Sequence, residues 1–243
     1  MSVSTCQMKE RYNQQGFLSA ARQAFNHLER EFGEEYTQYS LHNVHLQYPW
    51  VMSLAKHPHI LQVVQSILGS DVILLDSRFI CKYPTSLTPH TTATQAGNDA
   101  ITLTSEEELS DSSMYWGIAG DNSLAENGAL KVIPGSHCSG LLPHQLASRP
   151  GNMLSVNQEI PEELVQTDSA LLCPLLAGQM SIHDGYLVHA SDPNTSQKRR
   201  CGFVIRYIPT CAYPIQDPDR PRRFHATVMA SGSDQFNHFS TLL

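Results

Sequence analysis

The sequence predicts a mainly β fold: an antiparallel sandwich, barrel or jelly roll with helices packed on its outside. Apolar residues recur every three or four positions before residue 70 and every second position after it. The later apolar runs are short and are closed by Gly, Pro, Asp or Asn, which favour turns. Helices that come first and short strands that follow are typical of a largely antiparallel sheet.

Two helices are predicted before the first strand. From Leu18 to Phe32 the apolar residues form one stripe and charged residues cover the remaining surface, so this helix lies on the sheet through that stripe. The second helix runs from Pro58 to Leu68, with a proline suited to its first turn and Gly69 as its stop.

The first strand is predicted within residues 71–84, DVILLDSRFICKYP. Its alternation puts four apolar residues on one face: Ile73, Leu75, Phe79 and Cys81. Further strands are predicted from the runs GALKVIPG, GQMSIHDG, YLVHA and CGFVIRYIPT. We expect the last two to be neighbouring antiparallel strands, joined by a turn from Ser191 to Lys198.

One domain is predicted for residues 1–243, with an irregular loop and a C-terminal extension. Residues 85–113 are rich in Thr, Ser, Ala, Glu and Asp and show no sustained periodicity, which predicts a loop or a disordered insert. Residues 212–243 are interpreted as a C-terminal extension.

Composition narrows the class of partner to a small-molecule substrate. The chain has 16 Lys and Arg against 23 Asp and Glu and no basic block, which argues against nucleic acid or an anionic membrane as a partner. The six cysteines form no CxxC pair, which is typical of free thiols in a reducing compartment such as the cytoplasm. The residues do not predict an oligomeric state.

His189 and Arg200 are the leading candidates for chemistry. A neutral imidazole can ligate a metal, and a guanidinium nearby can hold a carboxylate through two hydrogen bonds. Non-haem iron oxygenases need this combination, because their iron is held by two His and one carboxylate and a fixed cation binds the 2-oxo acid. The alternative is a structural histidine beside a solvated arginine.

The surrounding stretch, YLVHASDPNTSQKRRCGFVIRYIPT, resembles the C-terminal signature of the phytanoyl-CoA dioxygenase family. In that signature the distal iron-binding His is followed by a small residue, a Ser, an Asn and, eleven positions after the His, the Arg that holds 2-oxoglutarate. The matching positions here are His189, Ala190, Ser191, Asn194 and Arg200. ENGALKVIPGSHCSGLLPH and FICKYP resemble two further blocks of the family.

The resemblance implies a double-stranded β-helix, the cupin-like jelly roll, that binds Fe(II) and uses 2-oxoglutarate as co-substrate. Such enzymes are dioxygenases that oxidise 2-oxoglutarate to succinate and CO2 while they hydroxylate a C–H bond of a small organic substrate. The implied roles are distal metal ligand for His189 and co-substrate binding for Arg200 with Ser191.

The family's proximal ligands, a His-x-Asp motif, are not intact in this chain. Counting back from MYWG reaches Ser110-Asp111-Ser112, whereas counting forward from FICKYP reaches His90, with Thr92 where the Asp is expected. A second, Trp-bearing strand expected between YWGIAGDN and SLAENGAL is also missing.

Three interpretations of the metal site remain open. His90 can supply an imidazole while Asp99 or Asp111 supplies the carboxylate. Alternatively, His90 and His189 bind iron with Thr92 in the carboxylate's place and a vacant position for chloride, as in the related iron halogenases. In the third interpretation the site is empty and the chain is a non-catalytic remnant or isoform of such an enzyme.

Other candidates are given lesser roles. His137 and His144 are interpreted as structural or substrate-side residues. His183 and Asp184 are rejected as a metal pair, because consecutive strand residues point to opposite faces and His183 lies about 20 Å from His189 along an extended chain. Arg206 shares the strand parity of Arg200 and is a weaker candidate for the carboxylate clamp.

Overall fold

The computed structural model describes residues 17–39, 41–84, 101–103, 114–146, 158–214 and 225–239. Within these ranges, four α-helices precede the first strand: Phe17–Phe32 (α1), Glu34–Tyr39 (α2), Pro49–Ala55 (α3) and Pro58–Leu68 (α4). Both predicted helices are confirmed. None of the helices in the described ranges is long and apolar enough to cross a membrane.

Short strands make up most of the remaining described chain. Their bounds are Val72–Lys82 (β1), Ile101–Leu103 (β2), Met114–Ala119 (β3), Leu130–Val132 (β4), Gln145–Leu146 (β5), Gln158–Glu159 (β6), Leu171–Cys173 (β7), Met180–Asp184 (β8), His189–Ser191 (β9), Arg200–Pro209 (β10), Ala212–Pro214 (β11) and Val228–Ser231 (β12).

The strands form two main antiparallel sheets. The larger sheet has the order β12-β1-β10-β3-β8 and the smaller one has the order β7-β4-β9. Two further pairs, β11 with β2 and β5 with β6, lie outside them. Side chains of the two main sheets meet between them, as the contacts below show, so the predicted jelly-roll class is confirmed.

β9 and β10 are not neighbours, so the prediction that these two strands pair was wrong. β9 pairs with β4 in the smaller sheet, where His189 lies opposite Val132. β10 pairs with β1 and β3 in the larger sheet, where Arg200 lies opposite Lys82. The connection between β9 and β10 therefore crosses from one sheet to the other, because a hairpin-like sequence does not determine which strand pairs with which.

A β-bulge in β1 also corrects the predicted face of that strand. The register with β10 shifts between Leu74 and Asp76. As a result, Phe79 packs in the main core together with Leu74, whereas Ile73 and Leu75 pack in a second cluster with Ile208, Ala212 and Phe239. An extra residue on one strand reverses the side-chain parity on either side of it.

The strand that the sequence analysis expected to be missing leaves no gap in the larger sheet. Residues 120–124 contain no strand, and β3 pairs with β10 on one side and with β8 on the other. The YWGIA run is thus an inner strand of the larger sheet.

The predicted insert and the predicted C-terminal extension both contribute strands. Residues 101–103, inside the predicted insert, form β2 and pair with β11, so the insert is not irregular throughout; its other residues lie outside the described ranges. The predicted C-terminal extension supplies β11 and also β12, which pairs with β1 at the edge of the larger sheet.

The helices cover one face of the larger sheet. Phe25 of α1 stacks on Phe79 of β1 with ring centres 4.7 Å apart, and Phe79 in turn meets Phe203 of β10 at 4.8 Å. Val51, Leu54 and other apolar residues of α3 and α4 fill the same core. Burial of these side chains fixes which face of β1 and β10 points away from the smaller sheet.

Arg199 ties α1 to the edge of this covered face. Its guanidinium donates to Glu29 at 2.6 Å, to Asn26 at 2.9 Å and to Asp121 at 2.7 Å. It also lies over the ring of Phe25, 5.1 Å from the centroid. The adjacent carboxylates raise its pKa although burial opposes the charge, so Arg199 is a structural cation.

We predict that Arg199→Met lowers the free energy of unfolding by about 3 kcal/mol, because it removes the partly buried cation that two carboxylates, Glu29 and Asp121, share. The matched control is Arg22→Met. Arg22 binds the same Asp121 at 3.0 Å but its side chain is 51% exposed, and an exposed pair is worth less than about 1 kcal/mol. Urea denaturation measures both. Equal losses would contradict the structural role given to Arg199.

Candidate functional site

Basic side chains occupy the face of the larger sheet that is turned toward the smaller sheet. On β1, Arg78 and Lys82 alternate with the core residues Phe79 and Cys81. Arg200, the first residue of β10, precedes the core residue Cys201 and therefore points the other way, away from the helices. Strand alternation thus separates a structural arginine from a candidate binding arginine at adjacent positions.

Lys82 reaches across the space between the sheets to the smaller sheet. Its ammonium donates to the hydroxyl of Ser191 at 2.7 Å and to the backbone carbonyls of Ser191 and Asp192 at 3.2 and 2.6 Å. Burial, assisted by the positive charge of Arg200, lowers the pKa of Lys82 to about 7, although Asp192 acts in the opposite direction. Lys82, which the sequence analysis did not consider, thus binds Ser191 and lies opposite Arg200 on the neighbouring strand.

Arg200 is held without a carboxylate partner among the described residues. Its Nε donates to the hydroxyl of Ser123 at 3.2 Å, and burial lowers its pKa because it disfavours the charged form. Arg206 differs: its guanidinium pairs with Asp76, including a 2.7 Å bond from Nε to Oδ1. The weaker clamp candidate of the sequence analysis is thus already engaged with an anion, whereas Arg200 is not.

The ring of His189 is fixed through one nitrogen by a backbone carbonyl. Its Nδ1 is 2.7 Å from the carbonyl oxygen of Leu187, and since a carbonyl only accepts, Nδ1 carries the hydrogen and Nε2 keeps its lone pair. Burial lowers the pKa of His189, and the charge of Arg78 lowers it further, against the effect of the Leu187 bond. A neutral imidazole whose second nitrogen is fixed by a backbone carbonyl is the usual ligating form.

His183 lies beside His189, which corrects the distance of about 20 Å that the sequence analysis estimated between them. The two ring centres are 5.1 Å apart and the rings are tilted by 57°. Burial, together with the neighbouring His189, lowers the pKa of His183 to about 3. The estimate of distance along the chain failed because a turn intervenes, closed by a 3.1 Å bond from the nitrogen of Leu187 to the carbonyl of Asp184.

Asp184 itself belongs to this turn. Its Oδ1 accepts from the nitrogen of Tyr186 at 2.7 Å. The Asp-Gly pair at 184–185, followed within four residues by another apolar run, is a turn signal that predicts a reversal of the chain. That signal would have placed His183 near His189.

Two asparagines of the family-like blocks support the site. Asn194 is buried and donates to the carbonyls of Lys82 at 2.9 Å and Lys198 at 2.7 Å, which fixes the β9–β10 connection against β1. Asn127 accepts from the nitrogen of Leu124 and donates to the carbonyl of Asn122, both at 2.7 Å. Both side chains satisfy loop backbone groups, as buried amides commonly do.

Gly128 and Ser136 complete this scaffold. Gly128 has φ of +82°, and a Cβ there would overlap the carbonyl oxygen of Asp192 and press on the stem of Lys82, so a larger residue would displace the Lys82 contact. Ser136 Oγ accepts from the nitrogen of Val188 at 2.8 Å. These contacts position the residues on either side of His189.

His137 and His144 remain predicted as non-ligands. His137 is exposed, and Nδ1 of His144 is hydrogen-bonded to the carbonyl of Leu142 at 2.8 Å. Neither contact touches His189.

The candidate proximal ligands cannot be compared with this geometry. His90, Thr92, Asp99 and Asp111 lie outside the described residues. Within the described ranges, no group of three or more His, Cys, Asp or Glu is suited to a metal ion. The described part of the site therefore consists of two imidazoles and a set of cations.

Lys82 is the second residue that sequence reasoning missed. It shares strand parity with Arg78 and ends the FICK run, so the sequence predicts that its side chain points to the same side of the strand as that of Arg78. Its position opposite Arg200 could not be predicted, because the periodicity within one strand carries no information about its register with another strand.

Comparison with known proteins agrees with this architecture. The sequence profile of the phytanoyl-CoA dioxygenase (PhyH) family matches residues 7–202. A probable alpha-ketoglutarate-dependent hypophosphite dioxygenase of Stutzerimonas stutzeri is 24% identical over 183 residues, which are 71% of this chain and 58% of that protein. The chain spans less than three fifths of the length of the curated relatives it matches.

Two solved structures share the fold. The non-heme monooxygenase ThoJ in its apo form superposes with a TM-score of 0.69 at 21% identity, covering 98% of this chain and 80% of that one. CytC3 with Fe(II) and alpha-ketoglutarate superposes with a TM-score of 0.64 at 19% identity, covering 93% and 85%. With a family match over most of its length, the chain belongs to the phytanoyl-CoA dioxygenase (PhyH) family.

Proposed function

We propose that this chain is an Fe(II)- and 2-oxoglutarate-dependent dioxygenase that hydroxylates a small organic substrate. The observation that carries the proposal is the combination of His189, oriented as a metal ligand, with Arg200 and Lys82, two neighbouring cations that face the space between the sheets. Family membership and the similarity to a probable alpha-ketoglutarate-dependent hypophosphite dioxygenase support the same reaction class.

The proposed co-substrate site centres on Arg200. Lys82 is buried and Arg200 is partly buried. Burial lowers the pKa of both groups because it disfavours the charged form, and the charge of Arg200 lowers the pKa of Lys82 further. A carboxylate placed between Arg200 and Ser191 would stabilise the charged forms through charge-assisted hydrogen bonds. Arg200 is proposed to bind the distal carboxylate of 2-oxoglutarate, and Ser191, already held by Lys82, to complete that clamp.

The described residues fit a metal in part. Nε2 of His189 is the proposed distal ligand, and His90 and Asp111 remain proposed as proximal ligands. Fe(II) bound there supplies the chemistry with dioxygen when 2-oxoglutarate is oxidised to succinate and CO2. The chain's own task is to hold the imidazole neutral and correctly turned, through the Leu187 carbonyl, and to neutralise the co-substrate's charge.

An anaerobic titration with Fe(II) and 2-oxoglutarate tests this proposal. We expect a visible metal-to-ligand charge-transfer band, because a chelated 2-oxo acid on Fe(II) absorbs in that region. A wild-type chain without a band at millimolar co-substrate would contradict the proposal and favour the non-catalytic remnant. Arg200→Ala is expected to weaken 2-oxoglutarate binding by about 30-fold or more, while the affinity for Fe(II) alone stays close to that of the wild type.

The matched control for that variant is Arg206→Ala, another arginine of β10 with the same parity whose charge is already paired with Asp76. We expect a much smaller change in 2-oxoglutarate affinity. Equal losses in the two variants, or a loss of iron and 2-oxoglutarate together in Arg200→Ala, would contradict the role given to Arg200.

Lys82 should make co-substrate binding depend on pH. Its pKa of about 7 lies below the ordinary value of a lysine, so the ammonium is charged below pH 7 and loses its proton as the pH rises above it. Above that point, binding of an anion must take up a proton, and affinity falls by up to about tenfold per pH unit. Calorimetric titration of 2-oxoglutarate from about pH 6 to about pH 8.5 measures this.

Two variants separate the Lys82 effect from other titrations. Lys82→Met is expected to bind weakly at every pH, and Lys82→Arg to bind without the decline above pH 7, because a guanidinium stays charged. The same pH profile in wild type and Lys82→Arg would show that another group is responsible and would contradict this assignment.

A further inference from the structure

His183 is the feature of the site that neither the sequence motifs nor the family resemblance assigns. It lies on β8 of the larger sheet, one residue after Ile182, whose side chain packs toward the apolar core under the helices. Alternation therefore turns His183 the other way, toward the smaller sheet and His189. The two imidazoles approach from opposite sheets.

We propose that His183 and His189 together form a two-imidazole metal-binding pair, in which His183 supplies the second nitrogen ligand that the disrupted His-x-Asp motif does not. This inference rests on the proposed function, since it concerns the same metal site. It reverses the order of candidates, because His183 replaces His90 as the second histidine.

The distance between the rings suits a shared ion. With metal–nitrogen bonds of about 2.1 Å, two imidazoles on one ion have ring centres about 4.5 to 5.6 Å apart for ligand angles of about 90 to 120°. The observed separation is 5.1 Å. The 57° tilt between the rings also differs from a parallel stack, in which the nitrogen lone pairs could not converge on one point.

The surroundings of the pair are consistent with this use. The turn between His183 and His189 is closed by backbone and Asp184 side-chain bonds, so both imidazoles are carried by fixed backbone. Nδ1 of His189 is used by the Leu187 carbonyl, which leaves Nε2 for an ion. An oxygen-rich co-substrate held at Arg200 would provide further ligands, as divalent iron accepts both nitrogen and oxygen donors.

The experiment counts imidazoles on a bound probe ion. Cu(II) is added below one equivalent to the full-length protein, and pulsed EPR counts the imidazole nitrogens coupled to the ion. The proteins compared are the wild type, His183→Ala, His189→Ala, His90→Ala and a control, His27→Ala, whose histidine lies on the exposed side of α1. We expect two imidazoles in wild type, His90→Ala and His27→Ala, and one in His183→Ala and His189→Ala. Each of the latter should lose more than about tenfold in affinity.

Other results would overturn the inference in distinguishable ways. Two imidazoles in His183→Ala and one in His90→Ala would refute the pair while leaving the proposed function intact. Absence of any specific Cu(II) signal in wild type, together with absence of the Fe(II) charge-transfer band, would refute both. His183→Gly with added imidazole controls for misfolding: we expect the added imidazole to restore affinity, and failure to do so in a variant with wild-type circular dichroism would count against ligation.

Discussion

The alternation of side chains where the chain enters β10, from Arg199 just before the strand to Arg200 at its start, is the constraint on which the rest of the structure depends. Arg199 and Arg200 are adjacent in sequence, yet one binds Glu29, Asn26 and Asp121 beside α1 and the other faces the space between the sheets. If β10 slipped by one residue, the structural and binding cations would exchange places. The dense network around Arg199 therefore also fixes the position of Arg200.

Placing Arg200 opposite Lys82 creates a second constraint. Two cations brought together away from water destabilise each other, and the carboxylate partners that accompany Arg199 and Arg206 have no equivalent at Arg200 in the described chain. A stable protein can tolerate such a site when a ligand anion completes it. The proposed binding of a dicarboxylate at Arg200 rests on this uncompensated charge.

Much of the fold could be predicted from sequence, because helix and strand periodicity report directly on burial. The bounds of α4, with its initial proline and final glycine, and the positions of β8, β9 and β10 followed from local patterns. Pairing could not be predicted in this way: β9 and β10 lie in different sheets, and a bulge in β1 reversed the parity of Ile73 and Leu75. Register and bulges depend on partners that a single strand's pattern does not contain.

The residues of the candidate site fall into the same two groups: those that a local sequence pattern indicates and those that it does not. His189, Ser191 and Arg200 could be proposed from sequence because they lie in one short motif, and Asn194 holds that motif against β1. Lys82 was missed because its significance arises only when β1 meets β9 and β10. His183 was missed because the turn signal at Asp184-Gly185, which brings it beside His189, was not used. His90 and Asp111 remain predictions.

The claim that the space between the sheets is an anion site can be measured directly by calorimetric titration of metal-free protein with 2-oxoglutarate and with its uncharged dimethyl ester. Our account predicts saturable binding of 2-oxoglutarate that weakens with added salt, as charge-dependent binding does, and no measurable binding of the ester. Equal affinity for the two compounds, or no binding of either, would contradict it.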